Sequence, residues 1–109
     1  MAYDEGLAEV VRNTLEGETG LSEKKMFGGL CFLKNGNMIC GVHGSGGMAR
    51  VGKAAEDEAC KIEGVSPLSF TGRKMGGMVD VAEDTLCDDE LRNQIVTMAL
   101  EYARSLPPK

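Results

Sequence analysis

An Asn-Gly pair between two apolar runs predicts a β-hairpin near the middle of this chain. Asn35 and Gly36 separate residues 30–34, Leu-Cys-Phe-Leu-Lys, from residues 37–42, Asn-Met-Ile-Cys-Gly-Val. Asn-Gly is a preferred pair for a type I′ turn, because both central residues of that turn take a positive φ. We therefore expect two antiparallel strands joined by a two-residue turn, within a fold that contains an antiparallel sheet.

The two-residue turn determines which residues of the hairpin face each other. The predicted pairs are Lys34 with Asn37, Leu33 with Met38, Phe32 with Ile39, and Cys31 with Cys40. One face of the hairpin then carries Cys31, Leu33, Met38 and Cys40, and the other carries Leu30, Phe32 and Ile39. Both faces are apolar, so each needs cover. Helices can cover one face, and either another element or a second copy in a twofold dimer can cover the other.

The predicted pairing also brings two cysteines side by side. Cys31 and Cys40 would form a non-hydrogen-bonded pair, in which Cβ atoms come closest, so oxidation could join them in a disulfide. The chain has four cysteines, and no two of them have the C-x-x-C spacing of zinc knuckles or redox sites. We expect buried, reduced thiols, with no metal site and no cofactor.

Apolar residues at helical spacing predict a helix near each end of the chain. The first should cover residues 4–16, with Asp4 as its N-cap and Gly17 at its end. The last should cover residues 88–106, with acidic residues at its positive end. A shorter helix over residues 53–60 should have a small-residue inner face and an acidic outer face formed by Glu56, Asp57 and Glu58.

Three further strands complete the prediction. They cover residues 48–51, 67–70 and 78–81, with Gly-rich connections at residues 43–47 and 71–77. The order of elements is then α-β-β-β-α-β-β-α, and short connections make neighbouring strands antiparallel. We expect a single domain over residues 1–109, an α+β two-layer sandwich with a five-stranded, mainly antiparallel sheet.

The composition favours a cytoplasmic protein that makes no membrane contact. Apolar residues make up 42% of the chain and the net charge is -5, which is ordinary for a globular domain. No apolar run approaches the length that spans a bilayer, and the first residues are acidic where a secretory signal is basic. The single histidine and the absence of tryptophan weigh against an enzyme.

The charges are segregated along the chain. No acidic residue lies between Glu23 and Glu56, or between Glu63 and Asp80, and the acids concentrate on the predicted helices. A candidate interaction surface is formed by the basic residues Lys24, Lys25, Arg50, Arg73 and Lys74. The alternative is that these charges only protect strand ends and sheet edges from pairing with other chains. The overall acidity argues against direct nucleic-acid binding.

His43 is the candidate centre of a ligand site or an active site. It precedes the glycine-rich residues 44–47, but these lead into a predicted strand instead of the helix that a phosphate-binding loop requires. Ser45 has no G-x-S-x-G context, and no carboxylate near His43 in the sequence could orient the ring. The sequence therefore favours an ordinary turn.

Several short motifs together resemble one known family. They are Lys24-Lys25-Met26-Phe27-Gly28-Gly29-Leu30, Asn35-Gly36-Asn37-Met38, Gly41-Val42, Arg50-Val51-Gly52 and Phe70-Thr71-Gly72-Arg73. In these motifs the chain resembles the N-terminal domain of the TfoX/Sxy family, over essentially its whole length. The resemblance implies a two-layer fold related to secretion chaperones. It also implies a role like that of bacterial competence regulators, which assist the cyclic-AMP receptor protein at promoters.

The resemblance and the charge pattern lead to one functional expectation. The competence regulators of the family carry a second, helical domain, and we expect this chain to be a free-standing first domain. Its expected function is that of a non-enzymatic regulatory adaptor that binds a protein partner, such as a transcription regulator, as a homodimer. The alternatives are a small-ligand protein or enzyme centred on His43, and a protein that binds nucleic acid directly.

Overall fold

Helices and an antiparallel sheet make up the computed structural model of this protein. It describes residues 5–26, 29–44, 46–70 and 73–107, of which residues 26, 68–70 and 73–76 are described by their backbone alone. The helices are α1 (Glu5–Thr14), α2 (Glu56–Ala59), α3 (Glu83–Cys87) and α4 (Asp89–Arg104). The strands are β1 (Leu21–Met26), β2 (Gly29–Lys34), β3 (Asn37–His43), β4 (Gly46–Arg50), β5 (Val65–Phe70) and β6 (Arg73–Ala82).

The strands form one sheet in the order β1-β2-β3-β4-β6-β5. Every neighbouring pair is antiparallel. The helices α1, α3 and α4 contact the central strands β3 and β4. The predicted α+β class is therefore confirmed, with six strands among the described residues where the sequence predicted five.

The additional strand is β1, at one edge of the sheet. It pairs with β2 along its whole length, from Leu21 opposite Lys34 to Met26 opposite Gly29. Its sequence, Leu-Ser-Glu-Lys-Lys-Met, contains no β-branched or aromatic residue and three consecutive charges, so propensity does not predict a strand there. Backbone hydrogen bonds to β2, and not the side chains of β1, therefore determine the extended conformation of β1.

The remaining elements differ from prediction mainly in their bounds. The first helix is Glu5–Thr14, and the proposed cap at Asp4 lies outside the described residues. The helix predicted over 53–60 is a 3₁₀ turn, Lys53–Ala55, followed by α2. A short helix, α3, precedes α4, and the Asp88 side chain caps α4 by accepting the Leu91 N–H at 3.0 Å.

A β-bulge changes the register of the predicted hairpin. The turn itself is confirmed, with φ of 51° at Asn35 and 85° at Gly36. Two predicted pairs, Lys34 with Asn37 and Leu33 with Met38, are also confirmed. Beyond them the prediction is wrong, because an extra residue in β3 puts Phe32 opposite Cys40 and Cys31 opposite Gly41.

The bulge separates the two cysteines that the sequence placed side by side. Cys40 lies in the main core with Phe32 and Ile39, whereas Cys31 lies in a second cluster. The predicted Cys31–Cys40 pair is therefore wrong, and none of the four cysteines forms a disulfide. Burial raises the pKa of the Cys31 thiol to about 11 and that of Cys40 to about 12, so both are protonated near neutral pH.

Two apolar clusters lie within the single chain. The main core joins the sheet to the helices, and its most deeply buried side chains include Leu15, Ile39, Val79 and Ile95. We call the second cluster, formed by Cys31, Met38, Met48 and Met78, the sulfur cluster. Its members are 0% to 7% exposed. One chain therefore buries these four side chains by itself. Of the two kinds of cover left open by the sequence, another element of the same chain or a second copy, these residues need only the first.

Glu56 is a buried carboxylate, where the sequence predicted an exposed one. Its side chain is 7% exposed, and its Oε1 accepts the Gly77 N–H at 2.7 Å. The Gly77 carbonyl in turn accepts the N–H groups of Val51 and Gly52 at 2.9 and 3.0 Å. Glu56 is therefore not part of the predicted acidic outer face, because its hydrogen bond to Gly77 connects α2 to β6.

A charge network joins three distant parts of the chain. The Lys34 Nζ lies 2.9 Å from Glu18 Oε2 and donates to the Thr19 carbonyl at 2.8 Å. Glu18 also accepts hydrogen bonds from the Arg104 guanidinium at the end of α4. The Glu18 side chain is only 15% exposed. Hydrogen bonds from Arg104 and Lys34 lower the pKa of Glu18 to about 2.

Replacing Glu18 by glutamine should destabilise the fold at neutral pH but not in acid. The Glu18 carboxylate has a lower pKa when folded, so its contribution is present above about pH 4.5 and is lost as the pH falls toward 2. Allowing for solvent screening, we expect Glu18→Gln to cost about 1 to 2 kcal/mol at pH 7. Urea unfolding of both proteins between pH 7 and pH 2.5 measures the difference.

The matched control for this prediction is Glu16→Gln, at an exposed position two residues away. It should leave the free energy of unfolding within about 0.5 kcal/mol of the parent at every pH. A deficit of Glu18→Gln that stays constant down to pH 2.5 would show that the ionised carboxylate is not its source.

Candidate functional site

Lys24 and Lys25 lie next to each other on the exposed edge strand β1. Lys24 is paired with Cys31 and Lys25 with Leu30. Because directly opposed residues share a face, Lys25 lies on the helix side of the sheet and Lys24 on the side of the sulfur cluster. Both side chains are exposed. The edge of β1 therefore presents one positive charge on each face.

An apolar notch lies beside these lysines. It has a volume of about 260 Å³ and is lined by Arg12, Leu15, Leu21, Ser22, Glu23 and Phe32. Leu21 is 37% exposed, and among the described residues it is the one large hydrophobic side chain in the exposed class. The notch thus gives an accessible apolar surface next to β1, whose outer edge has no strand partner among the described residues.

An ion pair borders the notch. Arg12 donates two hydrogen bonds to Glu23, from Nε at 2.7 Å and Nη2 at 2.9 Å, and this lowers the pKa of Glu23. The Arg12 guanidinium carbon also lies 6.0 Å from the ring centroid of Phe32. The pair holds the Glu23 charge against α1, so the lysines supply the outward charge of β1.

The other proposed basic residues lie elsewhere on the sheet. Arg73 and Lys74 begin β6, where their backbones pair with Phe70 and Ser69, and their side chains lie outside the described residues. Three strands lie between β1 and β6, so the two are four strand spacings apart. At about 4.8 Å for each spacing this is a distance of about 19 Å. The structure therefore brings Lys24 and Lys25 together but not the whole predicted set.

Arg50 is already engaged within the chain. Its guanidinium carbon lies 5.4 Å from the ring centroid of Tyr102 on α4, within the range of a cation–π interaction. The side chain is half-buried. This contact connects the end of β4 to the helix layer, which gives Arg50 a packing role.

His43 is held by an acidic residue that the sequence analysis missed. Its Nε2 lies 3.0 Å from Asp80 Oδ1 and 3.1 Å from the Gly47 carbonyl. Both partners are acceptors, so Nε2 carries the proton and donates to them. Asp80 is 37 positions away in the sequence, and no local signal connects the two. The contacts join the end of β3 to β4 and β6, as expected for a residue that stabilises a turn.

An acidic groove lies on the helix side of the molecule. It has a volume of about 720 Å³, and its half-buried apolar residues are Ile62, Leu91 and Met98. Three carboxylates, from Glu58, Glu63 and Glu90, line it, with Lys61 paired to Glu58 at 3.2 Å. The groove thus carries a net negative charge, opposite in sign to that of Lys24 and Lys25 on β1.

Neither a metal centre of the usual ligands nor a membrane span was found in the described part of the chain. No group of three or more His, Cys, Asp or Glu residues among the described residues could hold a metal ion. No helix there is long and apolar enough to cross a membrane.

Comparison with known proteins identifies the family. Neither the curated proteins nor the solved structures include a match to this chain. Residues 13–103 match the family described as the TfoX N-terminal domain. The match covers nearly the whole chain and confirms the resemblance carried by the motifs between Lys24 and Arg73. This chain belongs to the TfoX N-terminal domain family.

Proposed function

We propose that this domain is a non-enzymatic regulatory adaptor that binds a protein partner along the edge of β1. Its family supports a competence-related regulatory role at most, and the adaptor activity goes beyond that. The observation that carries the proposal is the open β1 edge, where residues 21–25 are all exposed beside the notch that contains Leu21.

An open sheet edge can bind an extended segment of another protein. The outer N–H and C=O groups of an edge strand can form main-chain hydrogen bonds with an added strand, and nearby side chains provide specificity. At β1 the notch would take an apolar side chain on the helix side. Lys24 and Lys25 would favour acidic neighbours. The expected partner segment is therefore extended, acidic and partly apolar, and a cytoplasmic transcription regulator such as the cyclic-AMP receptor protein is the partner class suggested by the family.

The β1 edge is better suited to a different protein than to a second copy. Consider two copies of β1 paired antiparallel about a twofold axis. Each face of one sheet then continues into the same face of the other sheet. The residue at the centre of the pairing lies opposite the same residue of the second copy. The two registers with the greatest overlap would bring Glu23 to Glu23 or Lys24 to Lys24, and directly opposed like charges are destabilising. A homodimer remains a prediction, but we expect its interface to lie away from β1.

Charge reversal at the β1 edge should abolish partner capture. Tagged protein would be incubated with native cell extract, with and without nuclease, and the captured proteins identified by mass spectrometry. We expect the protein to capture a transcription regulator even after nuclease treatment. The amount of regulator recovered should fall at least about tenfold in the double variant Lys24→Glu and Lys25→Glu, because the new charges would repel an acidic segment.

The control makes the same charge change away from β1. Lys53 and Lys61 are both exposed, and their combined replacement by glutamate should leave capture unchanged. Equal loss in both double variants would point to overall charge and contradict the β1 site. Partners that all disappear with nuclease would favour direct nucleic-acid binding. Light scattering on the purified protein tests the predicted dimer.

A further inference from the structure

The sulfur cluster brings together four side chains that can all bind a soft metal ion. Cys31, Met38, Met48 and Met78 come from β2, β3, β4 and β6, one from each of the four central strands of the sheet. All four are buried. We propose that this cluster binds one monovalent soft metal ion of the Cu(I) class, through the Cys31 thiolate and the methionine thioethers.

A glycine lies between two of the ligands in the sheet. Cys31 on β2 lies opposite Gly41 on β3, and Gly41 lies opposite Met48 on β4. A Cβ at Gly41 would lie 3.2 Å from Cys31 Sγ, so a side chain at this position would crowd the sulfur. Cys31 and Met48 therefore lie on the same face of the sheet, on either side of Gly41. The β-bulge produces this arrangement by moving Cys40 to the opposite face.

The donor set selects a particular class of metal. Thiolate and thioether sulfurs prefer soft ions such as Cu(I), whereas Mg²⁺ and Ca²⁺ require oxygen ligands. The nearest carboxylate by register is Asp80, which lies opposite Met48, and it accepts a hydrogen bond from His43. The cluster itself contains no oxygen or nitrogen donor side chain, which disfavours Zn²⁺ and the hard divalent ions.

The charge balance of the site also favours a monovalent cation. On binding, the Cys31 S–H bond breaks, a sulfur–metal bond forms, and one proton leaves for solvent. The thiolate and the monocation then neutralise each other, which avoids the large cost of a net charge in a buried site.

Methionine-to-leucine substitutions separate ligation from packing. Leucine preserves apolar volume at small cost but provides no sulfur. Under anaerobic conditions, the purified protein would compete for Cu(I) with a chromophoric Cu(I) chelator in the presence of ascorbate. We expect one Cu(I) per chain. Met48→Leu and Met78→Leu should each weaken binding at least about tenfold, and Cys31→Ser about a hundredfold, with loss of the released proton.

The controls are sulfur residues outside the cluster. Met98→Leu on α4 and Cys87→Ser at an exposed position should leave the Cu(I) affinity unchanged, and circular dichroism would establish that each variant folds. X-ray absorption should show sulfur as the only near neighbour of the metal. No binding by the parent protein, unchanged affinity in Met48→Leu, or loss of binding in Cys87→Ser would overturn the proposal. The titration requires no partner protein, so its outcome is independent of the adaptor proposal.

Discussion

Gly29→Ala is expected to destabilise the fold by at least about 3 kcal/mol, because the new methyl group would collide with backbone. A Cβ at Gly29 would lie 1.9 Å from the Val42 carbonyl oxygen and 3.1 Å from the His43 Cα. Neither atom belongs to a side chain that could rotate away. The strands β2 and β3 would have to separate locally, at the end of the hairpin opposite its turn. Urea unfolding followed by circular dichroism measures the loss.

Gly17→Ala provides a control that isolates backbone strain from steric collision. Gly17 has a φ of 94°, and nothing lies within 4 Å of a Cβ built there. The control should therefore cost only about 1 kcal/mol, from the unfavourable φ of an alanine. If Gly29→Ala were no more destabilising than Gly17→Ala, the close approach of β3 to Gly29 would be contradicted.

Arg92→Ala is expected to cost about 3 kcal/mol, because one buried guanidinium connects three elements. Its Nη1 donates to the Leu86 carbonyl at 2.9 Å, its Nε to Thr14 Oγ1 at 2.8 Å, and its Nη2 to Asp89 at 2.6 Å. The side chain is only about a tenth exposed. Alanine would leave the Leu86 carbonyl unpaired and a void between α1, α3 and α4.

An exposed arginine in α1 gives the comparison for Arg92. Arg12 also forms a carboxylate ion pair, with Glu23, but its side chain is 48% exposed. Arg12→Ala should therefore cost no more than about 1 kcal/mol. Thermal and urea unfolding of both variants provide the measurement. Similar losses at the two positions would contradict the structural role assigned to burial at Arg92.

Local signals in the sequence were sufficient for the hairpin and for the two terminal helices. Asn35 and Gly36 have the positive φ values that their residue types favour, and the buried residues of α1 and α4 recur at helical spacing. From these elements the α+β class could be predicted. In each case the residues that determine the structure lie within a few positions of one another.

Features that depend on contacts between distant residues could not be predicted. The bulge after Met38 has no signature in the sequence, and it reversed the expected face of Cys40. The strand β1 depends on its neighbour for hydrogen bonds. Glu56 resembles any surface acid until Gly77 is placed beside it.

The candidate site was predictable only in part. Lys24 and Lys25 were found because they lie in a stretch of the chain without acidic residues, but their position on an edge strand depends on the strand order. The separation of Arg73 and Lys74 from them also depends on that order. The His43–Asp80 contact joins two different strands, and the sulfur cluster joins four. No sequence motif of fixed spacing could therefore predict either of them.

The strand order implies a sequence of events in folding. Strands β1 to β4 are neighbours both in the chain and in the sheet, whereas β6 joins β4 after a connection that contains α2 and β5. Because closing a long loop costs more entropy than closing a short turn, we expect the four-stranded meander to form first and β6 to dock late. The kinetic φ-value of a substitution is the ratio of its effect on the folding barrier to its effect on stability. This ratio should be high around Asn35 and low at Val79 on β6. On this route the sulfur cluster would be complete only when the last strand arrives.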